Sequence, residues 1–185
     1  SFVIDSCTTA IALIEEQLIK RVLPMTHTIN SELSPFRVPQ LDLQAVRRVL
    51  FFSAHEAAVM IGMVDEKTWL GWENGDQPIP EQVAMRIGAL LDWRKAHLAQ
   101  ARESMGINAT QHVRALWYES MDDWCSLEEH DPIAWRPEQS INATLLEEFP
   151  SRIELIAFDM RKYAAWIKGR KDSMHLRAQW LTEVA

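Results

Sequence analysis

Few residues in this chain are equipped for bond-breaking chemistry, and their spacing speaks against it. Glu128-Glu129-His130-Asp131 sets three carboxylates beside an imidazole, a donor set that could be drawn as a metal site. Consecutive residues point in different directions on any regular element, however, so the run reads as a solvated acidic loop. His55-Glu56 lacks the second histidine of a helical zinc site, and neither a Gly-rich phosphate loop nor a serine nucleophile elbow occurs. His27, His97, His112 and His175 have no recognisable partners. Cys7 and Cys125 lie far apart, without metal-ligand spacing or a disulfide framework, which fits a reducing cytoplasm. The sequence therefore presents no catalytic constellation, no metal site and no cofactor site.

The pattern that does emerge suits contact with a duplex. Glu66, Lys67, Leu70 and Gly71 fall on the solvent face of a short segment anchored by Trp69 and Trp72. Asp65 is a good N-cap and Gly75 a C-terminal stop, which predicts a helix of about two to three turns between them. Upstream, Ser53-Ala-His-Glu56 is a capping box that opens Ala57 to Ile61, and Gly62 ends that helix. Before it, Leu41 to Phe52 forms a first short helix, with Leu43, Val46, Val49 and Leu50 on one face and Arg47 and Arg48 off it. Two short helices joined by a tight Gly-containing turn are what major-groove reading requires: one helix enters the groove and the other packs across it. Arg47, Arg48, Arg94 and Lys95 then either clamp phosphates at the edges of the reader or stand as ordinary solvated charges.

The run Ser53-x-x-Glu56-Ala57-Ala58-x-x-Ile61-Gly62-x-Val64, with Trp69-x-x-Trp72-Glu73-Asn74-Gly75 and Pro78 or Pro80, resembles the phage-repressor (Xre/Cro-like) helix-turn-helix family. That resemblance covers Leu41 to Ala96. A closer one, to the YdiL-like bacterial proteins and anti-CRISPR-associated autorepressors, rests on Leu43-Gln44-Ala45-Val46-Arg47, Trp93-Arg94, Ile133-Ala134-Trp135-Arg136 and Gln139-Ser140, and extends to about Leu155. The resemblance implies a lambda-repressor-like bundle and a homodimer that represses transcription by binding double-stranded DNA at an inverted-repeat operator. By position, Lys67 and Thr68 match reader-helix residues, Glu66 and Gly71 further contact positions, and Ser53 and Gln44 backbone-contact positions. Glu66 can accept from a cytosine amino group but repels phosphate, and Gly71 has no side chain to read with. Specificity is then either narrow or dependent on Lys67 and on DNA shape.

The remaining sequence predicts a mainly α chain in three parts. Residues 1–40 hold an amphipathic helix from Asp5 to Leu23 and a linker, residues 41–96 the DNA-binding domain, and residues 97–185 a mostly helical dimerisation region. A long helix runs from Glu81 toward Ala101. Val113 to Tyr118 fits a helix or a strand, Pro137 to Glu148 and Ser151 to Lys168 read as helices, and Gly169 separates a short basic tail. No run is long and apolar enough to span a bilayer. The net charge of −7 works against phosphate attraction, but it is uneven: residues 101–150 carry ten acids and three bases, residues 41–100 only eight and six. The charge, Glu66 and Gly71 favour an alternative, a protein-interaction module on a helix-turn-helix scaffold that has lost DNA binding.

Overall fold

The computed structural model describes residues 40–107, 112–127 and 130–184; the predicted helix from Asp5 to Leu23 and most of its linker lie outside them. The described residues are mainly helical, with one small sheet. In chain order they form α1 (Gln40–Val49), α2 (Ala54–Ala57) continuing as a π-helical turn (Ala58–Gly62), α3 (Glu66–Asn74), α4 (Glu81–Ile107), β1 (Val113–Trp117), α5 (Met121–Cys125), a 3-10 turn (Pro132–Ala134), α6 (Trp135–Glu148), β2 (Ile153–Ala157), α7 (Met160–Ile167) and α8 (Met174–Val184).

Each predicted helix of the reader forms where its end signals stand. The Ser53 hydroxyl accepts from the Glu56 amide at 3.1 Å, and the Glu56 carboxylate accepts from the Ser53 amide at 2.7 Å. Asp65 caps α3 by accepting from the Thr68 amide at 2.9 Å, and Gly75 ends it in the left-handed region at φ 83°. The end of α2 is where the expectation needs amending. Its last turn widens into a π helix, and the left-handed residue that reverses the chain is Met63, at φ 54°, rather than Gly62. Space favours Gly62: a Cβ there would crowd Val64 Cγ2 at 3.0 Å and the rings of Trp69 and Trp72 at 3.1 Å.

Three apolar clusters build the core. The first belongs to the reader, where Leu43, Leu50, Ile61, Trp69 and Trp72 close over Val83, Ala84 and Ile87 from the start of α4. The second half of α4 leaves that cluster and contributes Leu98, Ala101 and Met105 to another, with Ile141 and Leu145 of α6 and Val113 and Ile153 of the sheet. The third cluster is aromatic: Tyr118, Trp124 and Trp135 meet Phe158, Tyr163 and Trp180.

Two sequence expectations fail in the C-terminal half. Ser151 to Lys168 is not one helix: Ile153–Ala157 is a strand paired in parallel with β1, Val113 opposite Ile153 and Trp117 opposite Ala157. Asp159 caps a separate α7 by accepting from the Arg161 and Lys162 amides at 3.0 Å each. Aliphatic residues at 153, 155 and 156 fit either period, and the partner strand lies 40 residues upstream, so local spacing does not reveal it. The same pairing settles Val113–Trp117 as a strand. Nor is the segment after Gly169 a tail, because α8 buries Met174, Trp180 and Leu181.

A buried polar cluster fastens α8. Arg177, only 2% exposed, donates to Asp172 from Nε at 3.1 Å and from Nη2 at 2.7 Å, and from Nη1 to His130 Nε2 at 3.1 Å. Tyr163 donates its hydroxyl to Asp172 at 2.5 Å. His130 Nδ1 therefore carries the proton donated to the Trp124 carbonyl at 3.1 Å. Burial, reinforced by the Arg177 charge, pushes the His130 imidazole down to about 3, so it stays neutral beside the guanidinium.

The geometry at the α2–α3 turn separates space from conformation. Gly62→Ala is expected to cost about 1–3 kcal/mol by overpacking the two tryptophans. Met63→Gly, at a site 71% exposed, is expected to leave stability unchanged or to raise it by up to about 1 kcal/mol by relieving the left-handed residue. Urea unfolding of both variants checks the pair.

Candidate nucleic-acid interface

The exposed face of α3 is held by what lies beneath it. Trp69 and Trp72 pack edge to face with ring centroids 5.7 Å apart, and both are buried in the reader core. One turn on, the Glu73 carboxylate is buried and collects four donors: Arg47 Nε at 2.5 Å and Nη2 at 3.0 Å, Trp69 Nε1 at 2.6 Å and Gln44 Nε2 at 3.3 Å. Arg47 also donates from Nη1 to the Phe52 carbonyl at 3.0 Å, which ties the end of α1 to the same point. Burial opposes ionisation of Glu73 most strongly. The hydrogen bonds from Arg47 and Trp69 and the guanidinium charge outweigh it and hold the carboxyl below its ordinary range.

Arg47 is thereby accounted for. The spacing placed it off the apolar face of α1, beside Arg48 at the phosphate edge. In the structure it is 8% exposed and all of its guanidinium nitrogens are engaged inside the reader. A helix face set by apolar residues alone misses an arginine whose partner carboxylate arrives from another helix. Gln44, half-buried, is held toward the same carboxylate. Arg94 is likewise turned inward, donating to Ser140 Oγ and Thr144 Oγ1 at 2.7 Å each. Lys95 is exposed and, among the described residues, pairs with Asp92 at 3.5 Å.

The remaining candidates gather around the start of α3. Glu66 and Lys67 are exposed, and Glu66 lies 3.6 Å from His55 of α2, a pair open to solvent on both sides. That contact brings the first turn of α2, with exposed Ser53 at its cap, alongside the first turn of α3. Lys67 and Arg48 make no ion pair among the described residues. Thr68 is partly withdrawn, its hydroxyl donating to Asp65 at 3.2 Å. Gly71 leaves the face flat: a Cβ there would meet only Asp76 Cβ, at 4.0 Å. Leu70 adds an exposed apolar side chain to the same helix. Glu73 and Glu56, both essential to this arrangement, were not among the sequence candidates. Glu73 stands inside the Trp-Glu-Asn-Gly signature, which is the signal available for it.

A family model described as Aca2/YdiL-like matches residues 38–153. The chain belongs to the Aca2/YdiL-like family. The match runs from the start of α1 to the first residue of β2, so α7 and α8 lie beyond it. The Aca2 repressor of Pectobacterium phage ZF40 is 28% identical over 108 residues, covering 58% of this chain and 91% of that repressor. The protein YdiL of Escherichia coli K12 is 36% identical over 58 residues, covering 31% of this chain and 49% of YdiL. Members of the Aca2/YdiL-like family thus share with this chain the whole reader and the region that α6 occupies.

Because the folded-state pKa of Glu73 is depressed, its contribution is complete above the ordinary glutamate value and is lost as pH falls through the folded value. Glu73→Gln leaves Arg47 without its counter-charge and is expected to cost about 3 kcal/mol at neutral pH. The cost should shrink as the pH is lowered below about 4. Urea unfolding of the variant and the wild type across that range checks both size and sign.

Proposed function

We propose that the chain is a transcriptional repressor that binds double-stranded DNA as a homodimer at an inverted repeat, with α3 as the reading helix. The observation that carries this reading is the exposed Lys67, without an ion pair among the described residues, beside Glu66 on a helix whose opposite face is pinned through Trp69, Trp72 and Glu73. A rigid helix with one polar side presented to solvent, and a second helix capped beside it, is the arrangement that enters a major groove. The similar phage protein is named a repressor, which supports the same class.

In this reading Lys67 contacts a base edge or a nearby phosphate, and Glu66 accepts from a cytosine amino group when it turns from His55. Gly71 lets the helix backbone approach the bases. Ser53, Gln44 and Arg48 meet the sugar-phosphate backbone, while Thr68 assists from beside the cap. Arg47 is given a supporting role, through Glu73. The segment after the reader supplies the dimer contact. Among the described residues no helix is long and apolar enough to cross a membrane.

Selection from a random duplex library tests the proposal. The wild type is expected to enrich a palindrome with half-sites about one helical turn apart, and Lys67→Ala to bind it about ten-fold more weakly. The salt dependence assigns the contact: loss of a phosphate partner lowers the log–log slope by about 0.9, while loss of a base partner leaves the slope and relaxes one position. Enrichment of no duplex by the wild type would overturn DNA reading and favour a protein partner on the same face.

A further inference from the structure

In the block from Ile133 to Ser140, the side chains of Trp135, Arg136, Gln139 and Ser140 are each committed to a defined partner. On one side it holds the sheet. Trp135 Nε1 and Gln139 Nε2 both donate to the Tyr118 carbonyl just beyond β1, at 2.9 and 2.7 Å. On the other side it holds the reader at separate points. Arg136 donates from Nε and Nη2 to Glu56 Oε1 at 2.9 and 2.7 Å, the same carboxylate that caps α2 through its other oxygen. Ser140 donates its hydroxyl to the Val49 carbonyl, at the last residue of α1, at 2.5 Å, and itself accepts from Arg94 of α4. Ile133 packs against the reader core.

The Arg136 side chain is held at each of its guanidinium nitrogens. Its third nitrogen donates to Gln139 Oε1 at 2.7 Å, and its guanidinium plane stacks over the Trp135 ring at 3.9 Å. A planar, forked cation can meet these demands together, whereas a lysine ammonium cannot. A single contact between two bodies leaves a pivot. Grips on α1 and on α2, on either side of the loop between them, remove it.

We propose that this block is a clasp fixing the angle of the reader against the C-terminal half, with Arg136 as its positioning residue. The consequence for DNA rests on the homodimer reading above: the clasp sets the half-site spacing the dimer accepts. With half-sites about 34 Å apart, each α3 lies ~17 Å from the dyad, and a swing of roughly 10° on a lever of that length moves it by ~3 Å, close to the rise of one base pair. Arg136 touches no DNA in this scheme.

The test uses the full chain with Cys7→Ser, spin labels on exposed Cys125 and on Lys67→Cys, and dilution with unlabelled protein. Pulsed electron resonance should give one narrow 67–125 distance with Arg136 intact, and a distribution at least twice as broad in Arg136→Ala. Arg136→Lys and Ser140→Ala, which remove fewer contacts, should broaden it less and serve if the alanine variant fails to fold. In parallel, on operators whose spacer is varied by single base pairs and with Lys67 and Cys125 unlabelled, the wild type should prefer one spacing by at least ten-fold. Arg136→Ala should accept neighbouring spacings within about three-fold, at unchanged affinity for an isolated half-site. Equal distance widths in folded Arg136→Ala and its parent overturn the clasp, whatever DNA does; a retained spacing preference in Arg136→Ala overturns its role in spacing. Absence of any wild-type duplex binding instead overturns the DNA reading, and the distance widths still decide the clasp.

Discussion

The buried pair between Arg47 and Glu73 is the constraint on which the reader depends. It joins the last turn of α1 to the last turn of α3, and the Glu73 carboxylate receives the Trp69 indole as well. Two charges removed from water do not by themselves stabilise a fold, since desolvation offsets much of their attraction. Their value here lies in direction: an uncompensated carboxylate in that position is so costly that α3 can take only the orientation that satisfies it. The tryptophans supply apolar burial and the ion pair selects the register, so the face carrying Lys67 and Glu66 is a consequence of contacts on the opposite side.

Beyond the reader, the fold depends on α4 belonging to two cores at once. Val83 and Ile87 pack with the reader, Leu98 and Met105 with α6 and the sheet, and one helix of 27 residues carries the connection. The sheet it leads to is short and parallel, and parallel strands require a crossover, here α5, the 3-10 turn and α6. That crossover places Trp124 and Trp135 where α7 and α8 cover them. The His130, Arg177, Asp172 and Tyr163 cluster then aligns α8 by the same logic as the reader's ion pair: polar groups whose partners must all be met when they are buried.

What the sequence made legible follows from how local each signal is. The caps at Ser53, Asp65 and Gly75 act over three or four residues and mark helix ends that the structure reproduces. The strand at Ile153–Ala157 depends on a partner 40 residues away, and its aliphatic residues suit a helix equally, so it merged with α7 despite the capping Asp159. Gly62 was legible as a special position but for the wrong reason, because a tight contact between turn and tryptophans leaves no trace in spacing. Arg47 shows the same limit in the candidate site. Its charge reads as solvent-facing until Glu73, 26 residues on, is folded against it. Arg136 and Glu56, 80 residues apart, lie further still from local reach.

The electrostatics of the reader bear on why orientation should matter so much to it. Residues 41–100 carry eight acids and six bases, but several of these are already spent. Glu73 and Arg47 neutralise each other, Glu56 is met by Arg136 from outside the segment, and Asp92 sits beside Lys95. At the start of α3 the exposed charges are Lys67 against Glu66 and Asp65, with Arg48 exposed on α1. Such a face draws little general attraction from phosphates, the contribution that lets strongly basic readers tolerate imperfect placement. In the proposed DNA-reading role, affinity has to come from contacts made simultaneously and without reorganisation, and that demands a helix already held at the right angle. The capping box that begins α2 and the ion pair that ends α3 meet this demand within the reader. Glu56, engaged at once by Ser53 and by Arg136, carries the same order outward to the rest of the chain.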